Sequence, residues 1–217
     1  MAMMDEKTQS EARGMLEGME EEVSLILFTT TGQCEFCEQT KELVSEVADL
    51  SEKLTVEFRD LEADREVAEH FGVTKAPGLV VMAGEDRGIR FYGIPAGFEF
   101  GTLLETILMV SIGDHGLSEE MVTRLDSLEE PVHLQVFITP TCPYCAPSVL
   151  AAHKLAMASD RVRSEMVEAM EFPELSQKHS VMAVPRTILN DEQGIDGAMP
   201  EAQLLDWIVA ESTNATS

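Results

Sequence analysis

The protein is a chain of 217 residues in which 40 Asp and Glu face only 15 Lys and Arg, for a formal net charge of −25. A field of this sign repels phosphate backbones and anionic lipid surfaces, so the charge argues against nucleic-acid and membrane partners. A hydrophobic content of 44% indicates an ordinary globular protein. The carboxylates are spread along the chain, which fits either a solvated acidic coat or adaptation to a salty cytosol.

No apolar run approaches the roughly 18 residues that a membrane-spanning helix needs. The first 14 residues, MAMMDEKTQSEARG, are polar and acidic and contain no apolar signal core. We therefore expect a soluble, cytoplasmic protein. In a reducing compartment its four cysteines are expected to be catalytic or metal-binding, and not structural crosslinks.

Hydrophobic periodicity in the first half predicts alternating helices and strands. The continuous apolar run VSLILF is typical of a strand that is buried on both faces. The predicted elements are, in chain order, a helix over 5–19, a buried strand over 23–28, a helix after Cys37, a half-buried strand over 54–60, a short helix over 64–71, a strand led by Pro77, a glycine turn and a helix ending near residue 112.

The second half repeats this order. The segment GDHGL at 113–117 is the predicted joint, and Ser118 is the predicted N-cap of one further helix. The elements that follow are a strand over 132–138, a helix after Cys145, a weaker strand over 164–170, a short helix over 173–179, a strand led by Pro185, a glycine turn and a helix ending near residue 210.

Four residues mark the repeat. Cys34 and Cys142 are 108 residues apart, and so are Pro77 and Pro185. Self-similarity at a fixed period indicates a duplicated unit. We predict an α/β protein with two units, residues 1–114 and 115–217, each a mixed sheet flanked by helices.

Each unit carries a CxxC motif between a strand and a helix, CEFC at 34–37 and CPYC at 142–145. The first cysteine is expected at the amino end of the helix, where free N–H groups and the helix dipole favour a thiolate. The second cysteine, about one turn on, is close enough to bond to the first and less exposed. The first sulfur can then attack a foreign disulfide, and the second can release the mixed disulfide. Pro143 is expected just inside the helix start, where its missing donor costs nothing.

Two CxxC pairs also supply four thiolates, which is a common structural zinc ligand set. A zinc-stabilised binding or scaffold protein is therefore the competing interpretation. However, zinc ribbons place their pairs roughly 15–20 residues apart, and a zinc site has no need of a proline matched to each pair. We prefer thiol–disulfide exchange, with no metal and no organic cofactor beyond the redox-active disulfides.

The CPYC motif, the segment VMAVP that ends at Pro185 and the constant interval from each first cysteine to its proline carry a family resemblance. The chain resembles the tandem glutaredoxin-like protein disulfide oxidoreductases of the thioredoxin superfamily, over nearly its whole length. The resemblance implies two thioredoxin-like units with cis peptide bonds at Ala76–Pro77 and Val184–Pro185. Cis bonds cost least before proline, whereas a trans proline opening an edge strand is the alternative at each site.

The resemblance also implies how substrates bind. Ala76 and Val184, with Pro77 and Pro185, would hold an extended protein segment by backbone hydrogen bonds. Protein disulfides are the expected substrates, and a thioredoxin-reductase-like protein is a candidate electron donor. A dedicated electron carrier to one peroxidase or reductase partner is a further alternative.

The chain departs from these relatives near the cysteines. Thioredoxins carry a buried acid in the strand before CxxC, but the corresponding positions here, near Phe28 and Val136, are apolar. Glutaredoxins help to hold glutathione with a threonine where this chain has Ala183, so direct use of glutathione is not expected.

The residues between the cysteines predict that the two centres differ. Glu35 and Phe36 separate the first pair and Glu38 follows it, whereas Pro143 and Tyr144 separate the second pair. Nearby negative charge disfavours a thiolate, unless these glutamates simply point to water. We expect Cys142 to attack and Cys145 to resolve at the dominant centre. Cys34 and Cys37 would form a second centre that acts alone or relays electrons.

Overall fold

The structure, a computed structural model, describes residues 3–32 and 34–215. In this part of the chain, helices cover both faces of one mixed β-sheet. The helices are α1 (Glu6–Leu16), α2 (Cys37–Ala48), α3 (Arg65–His70), α4 (Phe98–Ile112), α5 (Glu119–Asp126), α6 (Cys145–Ala158), α7 (Pro173–Lys178) and α8 (Glu201–Ala215). The strands are β1 (Val23–Thr29), β2 (Leu54–Asp60), β3 (Gly78–Met82), β4 (Ile89–Tyr92), β5 (Val132–Ile138), β6 (Val162–Glu168), β7 (Arg186–Leu189) and β8 (Gln193–Asp196).

The strand order β2-β1-β3-β4-β6-β5-β7-β8 contains the same arrangement twice. In the first half, β1 runs parallel to β2 and antiparallel to β3, and β3 pairs with β4 antiparallel. The second half repeats this pattern with β5, β6, β7 and β8. The predicted duplication of a mixed sheet flanked by helices is confirmed.

The two halves share a single sheet, which the sequence did not predict. Strand β4 runs parallel to β6, with Ile89 opposite Ser164 and Tyr92 opposite Val167. As a result β6 is an interior strand and largely buried, whereas its counterpart β2 lies at the edge and has a single buried residue among seven. This difference explains why the two segments match poorly, and β6 begins two residues before the predicted 164–170.

The hydrophobic core lies on both faces of the sheet. Along β1, Leu25 and Leu27 enter the larger cluster, while Ile26 and Phe28 enter the smaller one on the opposite face. Long helices such as α4 and α6 contribute to the larger cluster, and the short helices α3 and α7 contribute to the smaller. Because both faces are covered, β1 and β3 are nearly continuous apolar runs.

Several helix ends follow the predicted signals. The Ser118 hydroxyl accepts a hydrogen bond from the Met121 amide, as expected of an N-cap. Helix α4 ends where Gly113 adopts φ 75°, within the predicted joint. Helix α1 ends at Leu16, earlier than predicted, and α8 continues beyond residue 210. No helix in the described residues is long and apolar enough to cross a bilayer.

Candidate active site

Each CxxC pair lies in the connection between a central strand and the helix that follows it. Strand β5 ends at Ile138 and α6 begins at Cys145, which is bonded to Cys142 in a disulfide. The same arrangement joins Cys34 to Cys37 between β1 and α2. In each pair the second cysteine is the more deeply buried, as predicted.

The predicted position of the first cysteine relative to its helix requires a correction. Each helix begins at the second cysteine, so the first cysteine lies in the turn that leads into it, and Pro143 precedes the helix instead of opening it. The reason is visible in the backbone at the second centre: the Cys145 amide donates to the Cys142 carbonyl, three residues back and 3.4 Å away, which closes a turn and is not an α-helical bond. Each first cysteine still lies immediately before the free N–H groups of a helix.

Each pair faces its own proline. The peptide bonds Ala76–Pro77 and Val184–Pro185 are both cis, which confirms the expectation. The Cys142 Sγ lies 3.8 Å from the carbonyl oxygen of Val184. At the first centre, Cys34, Ala76 and Pro77 line one cavity of about 190 Å³. The structure therefore places together the residues for which exchange and substrate binding were predicted.

Apolar side chains project into solvent at both centres. Tyr144, between the second pair of cysteines, is 70% exposed, and Met182, two residues before Val184, is 93% exposed. Met170, which is 77% exposed, lines the cavity beside Cys34, where Phe36 is half-buried. Exposed apolar groups in a strongly acidic protein suit contact with another protein.

Both glutamates of the first motif, Glu35 and Glu38, point to solvent, which was the alternative to a direct effect of their charge on Cys34. Glu35 is exposed beside Cys34. The Glu38 carboxylate lies 2.9 Å from the ammonium group of Lys41, so its charge is partly offset. Helix α6 has no acidic residue in its first turn, whereas α2 has Glu38 there. Fewer carboxylates near Cys142 favour a thiolate there, so its role as the main attacking cysteine remains a prediction.

A buried acid near the second centre was missed by sequence reasoning. Phe28 and Val136 are buried and apolar as expected, but the acid comes from another element: Glu99, in the first turn of α4, is fully buried. The Phe98 amide donates a hydrogen bond to the Pro140 carbonyl at 3.1 Å, which holds this turn against the loop before Cys142. Burial raises the pKa of Glu99 to about 7. Nothing in the sequence separates Glu99 from the many surface glutamates.

A second missed carboxylate lies at the first centre. Glu171 belongs to the loop after β6 in the second half, yet it lines the cavity that contains Cys34 and Pro77. Its Oε1 accepts a hydrogen bond from the Ile94 amide at 2.7 Å. The contact depends on the pairing of β4 with β6, so no pattern within either repeat could have found it.

Replacing Glu99 by glutamine is expected to stabilise the protein at alkaline pH. The folded-state pKa of about 7 lies above the ordinary 4.5, so the folded protein holds this proton more tightly and its stability falls as the pH rises from 4.5 to 7. Urea unfolding should show the variant more stable on the order of 2–3 kcal/mol at pH 8.5, and by less than about 1 kcal/mol at pH 5. The exposed Glu105 of the same helix provides a matched Gln control, and parallel pH curves for Glu99→Gln and wild type would contradict the prediction.

The zinc interpretation requires the four sulfurs to meet. In the part of the chain that the structure describes they form two separate disulfides, each beside its own proline. No group of three or more His, Cys, Asp or Glu side chains in the described ranges is arranged to hold a metal ion.

Comparison with known proteins relates both halves to redox proteins. A family model described as a thioredoxin domain matches residues 132–210. A protein disulfide oxidoreductase from Aeropyrum pernix superimposes with a TM-score of 0.89 and 31% sequence identity, covering 97% of this chain and 94% of that one. The chain belongs to the thioredoxin-like family of tandem protein disulfide oxidoreductases. The two thioredoxin-like units of the predicted fold are thereby confirmed.

A second group of relatives consists of the F subunits of alkyl hydroperoxide reductases. The F subunit from Staphylococcus aureus is 28% identical over 204 residues, which is 94% of this chain. The chain spans only 37% of the length of that relative. The corresponding structure from Enterococcus faecalis superimposes with a TM-score of 0.86 and 26% identity, and the match covers 94% of this chain and 99% of that one.

Proposed function

We propose that the chain exchanges its dithiols with the disulfides of protein substrates, and that Cys142 and Cys145 form the dominant centre. The observation that carries this proposal is the contact of the Cys142 sulfur with the Val184 carbonyl, 3.8 Å away and directly before the cis proline. A substrate strand that pairs with Val184 would bring its own disulfide to this sulfur.

The exchange runs in two steps that balance. The Cys142 thiolate attacks one sulfur of the substrate disulfide, which forms a mixed disulfide and releases the other substrate sulfur as a thiolate. The Cys145 thiolate then attacks the Cys142 sulfur, which restores the intramolecular disulfide and releases the second substrate thiolate. The protons given up by the two cysteines end on the substrate thiols, and an external dithiol donor restores the reduced centre.

The surroundings of each pair support the assigned roles. Pro185 and Val184 at the dominant centre, and Pro77 and Ala76 at the first, would position substrate. Pro143 and Tyr144 in one motif and Glu35 and Phe36 in the other tune the cysteines. Cys34 attacks and Cys37 resolves at the first centre, which acts alone or relays electrons to the second.

The proposed compartment and electron donor follow from the thiol chemistry of the two centres. We place the protein in the cytoplasm, where reducing conditions keep exchange cysteines active, with a thioredoxin-reductase-like protein as its electron donor. The division into units 1–114 and 115–217 is likewise proposed, at the joint where α4 ends in a left-handed glycine.

Trapping the mixed disulfide tests the function. In a background of Cys34→Ser and Cys37→Ser, the reduced Cys145→Ser variant should form a stable covalent adduct with oxidised insulin, because no thiol remains to resolve it. Non-reducing electrophoresis and mass spectrometry would identify Cys142 as the attachment site. The matched control, with Cys142 also replaced by serine, should form no adduct, and an adduct that persists in the control would contradict the assignment.

A second candidate function is delivery of electrons to a peroxidase. It is favoured by the match of 94% of this chain to a component of alkyl hydroperoxide reductase. The same trap separates the two candidates when insulin is replaced by an oxidised thiol peroxidase. Adducts with the peroxidase but not with insulin would favour the dedicated carrier, and adducts with both would favour the general oxidoreductase.

A further inference from the structure

The first cysteine centre is built by both halves of the chain. Its cavity of about 190 Å³ is lined by Cys34, Glu35, Phe36, Ala76 and Pro77 of the first half and by Met170, Glu171 and Pro173 of the second. If the units were separate, the second half would contribute nothing here, because the segment 169–173, which leads from β6 into α7, reaches this cavity through the pairing of β4 with β6.

Glu171 is held firmly at this cavity. Its Oε1 accepts from the Ile94 amide at 2.7 Å, and its own amide donates to Glu168 Oε2 at 2.6 Å. The neighbouring Gly93 amide donates to the carbonyl of Pro77 at 3.0 Å. One short segment of backbone, residues 93 and 94, therefore joins the cis proline of the first centre to the carboxylate from the second half.

Gly93 shows how closely this carboxylate packs against the first half. The residue adopts φ 91°, and a Cβ placed on it would lie 2.5 Å from the Cβ of Glu168 and 2.9 Å from Glu171 Oε1. Only glycine fits here. The other carboxylate oxygen, Glu171 Oε2, is buried and has no hydrogen-bond partner among the described residues.

From this geometry we infer that the carboxylate of Glu171 disfavours the thiolate form of Cys34. A residue of the second unit thereby lowers the reactivity of the first centre. The titratable groups facing Glu171 are Glu168 on β6, Glu35 on the cysteine turn and Cys34 itself, and each is acidic. A thiolate that forms on Cys34 while Glu171 is ionised meets a like charge in the same cavity.

The pH dependence follows from the state of Glu171. Burial raises the pKa of Glu171 to about 7, and the charges of Glu168 and Glu35 add to the effect against the hydrogen bond from Ile94. Below pH 6 Glu171 is neutral and places no charge beside Cys34. As the pH rises above 7, Glu171 becomes ionised and disfavours the thiolate. The thiolate fraction of Cys34 is therefore lowered most between about pH 7 and 8.5.

The test is the alkylation rate of Cys34 as a function of pH. The parent protein carries Cys142→Ser and Cys145→Ser, so that only the first pair reacts, and peptide mass spectrometry separates Cys34 from Cys37. Glu171→Gln keeps an oxygen to accept from Ile94 but removes the charge. We expect the rate constant of Cys34 to rise roughly three- to tenfold at pH 7.5 and to remain unchanged at pH 5.5, where the parent carboxyl is already neutral.

The matched control is Glu174→Gln, which removes one charge from an exposed position outside the cavity, at the start of α7. Its profile should follow that of the parent. Coincident profiles for Glu171→Gln and the parent, or an equal increase at pH 5.5 and 7.5, would overturn the inference. The effect of Glu171 on turnover depends on the proposed exchange reaction, whereas its effect on the alkylation of Cys34 does not. A shifted profile in a protein that forms no insulin adduct would reject the proposed function and leave the inference standing.

Discussion

Cys142→Ser is expected to lower insulin reduction by a dithiol donor roughly tenfold or more, whereas Cys34→Ser lowers it by less than about twofold. The difference follows from the charges around the two sulfurs. Cys142 has Thr141, Pro143 and Tyr144 as its neighbours in the turn, and no acid occupies the first turn of α6. Cys34 shares its cavity with Glu35 and Glu171.

Both substitutions remove one thiol and one disulfide, so each serves as the structural control for the other. Thermal unfolding of the two variants would show whether either loses its fold. A variant that lacks both Cys34 and Cys142 should fall to the background rate of the donor alone. Comparable losses in the two single variants, or a larger loss for Cys34→Ser, would reject the dominance of the second centre.

Glu165→Ala is expected to destabilise the protein by about 2–4 kcal/mol, because it leaves the half-buried cations Arg163 and Lys75 without their buried partner. Glu165 on β6 is almost fully buried at the junction of the two halves. Its carboxylate lies 2.9 Å from Arg163 Nε, 3.0 Å from His133 Nε2 and 3.4 Å from the ammonium group of Lys75, and it accepts a hydrogen bond from Gln135. Lys75 stands two residues before the cis Pro77, so the cluster also anchors the loop of the first centre.

The contribution of the Glu165 cluster can be recognised by how the free energy of unfolding changes with pH. Burial by itself raises the pKa of Glu165, but the contact with His133 and the charges of Lys75 and Arg163 outweigh it and lower the pKa to about 2. A depressed carboxyl pKa contributes stability above pH 4.5, which is lost as the pH falls toward 2. Wild type should lose this contribution in acid, and Glu165→Ala has none to lose.

Urea unfolding at pH 7 and pH 3 measures both effects. Asp160→Ala is the matched control, because Asp160 also pairs with an arginine across the junction, Arg87, but its side chain is 84% exposed. An exposed pair of this kind contributes less than about 1 kcal/mol. A Glu165→Ala variant that unfolds like the Asp160→Ala variant would show that the buried cluster adds nothing to stability.

The two cysteine centres could be predicted from residue types and their spacing within each half. The interval from each first cysteine to its proline, repeated in both halves, supported the family resemblance, and the resemblance implied that Cys142 lies beside Val184 and Cys34 beside Ala76, as the structure has them. The first residues of the two helices that follow the cysteines were predicted less accurately. Each helix was expected to begin one turn too early, because the sequence does not show whether the residues between the cysteines close a turn or a helical bond.

The acids at the centres were not predictable. Glu99 and Glu171 look like any other member of a set of 40 acidic residues. Only burial in α4 distinguishes the first, and only packing against Gly93 and Ile94 of the other half distinguishes the second. A carboxylate changes its pKa because of what surrounds it in space, and those surroundings come from distant parts of the chain.

The sequence by itself determined the duplicated unit, its order of helices and strands, the two cysteine pairs and their prolines. Each of these depends on hydrophobic periodicity or on residue spacing within one copy. The tertiary structure alone decided that β4 and β6 join the copies into a single sheet, that β6 is interior while β2 is an edge, and that Glu171 completes the first centre. The reason is that two units of the same topology can be joined along either sheet edge, and the choice depends on side-chain packing between residues that no local pattern connects.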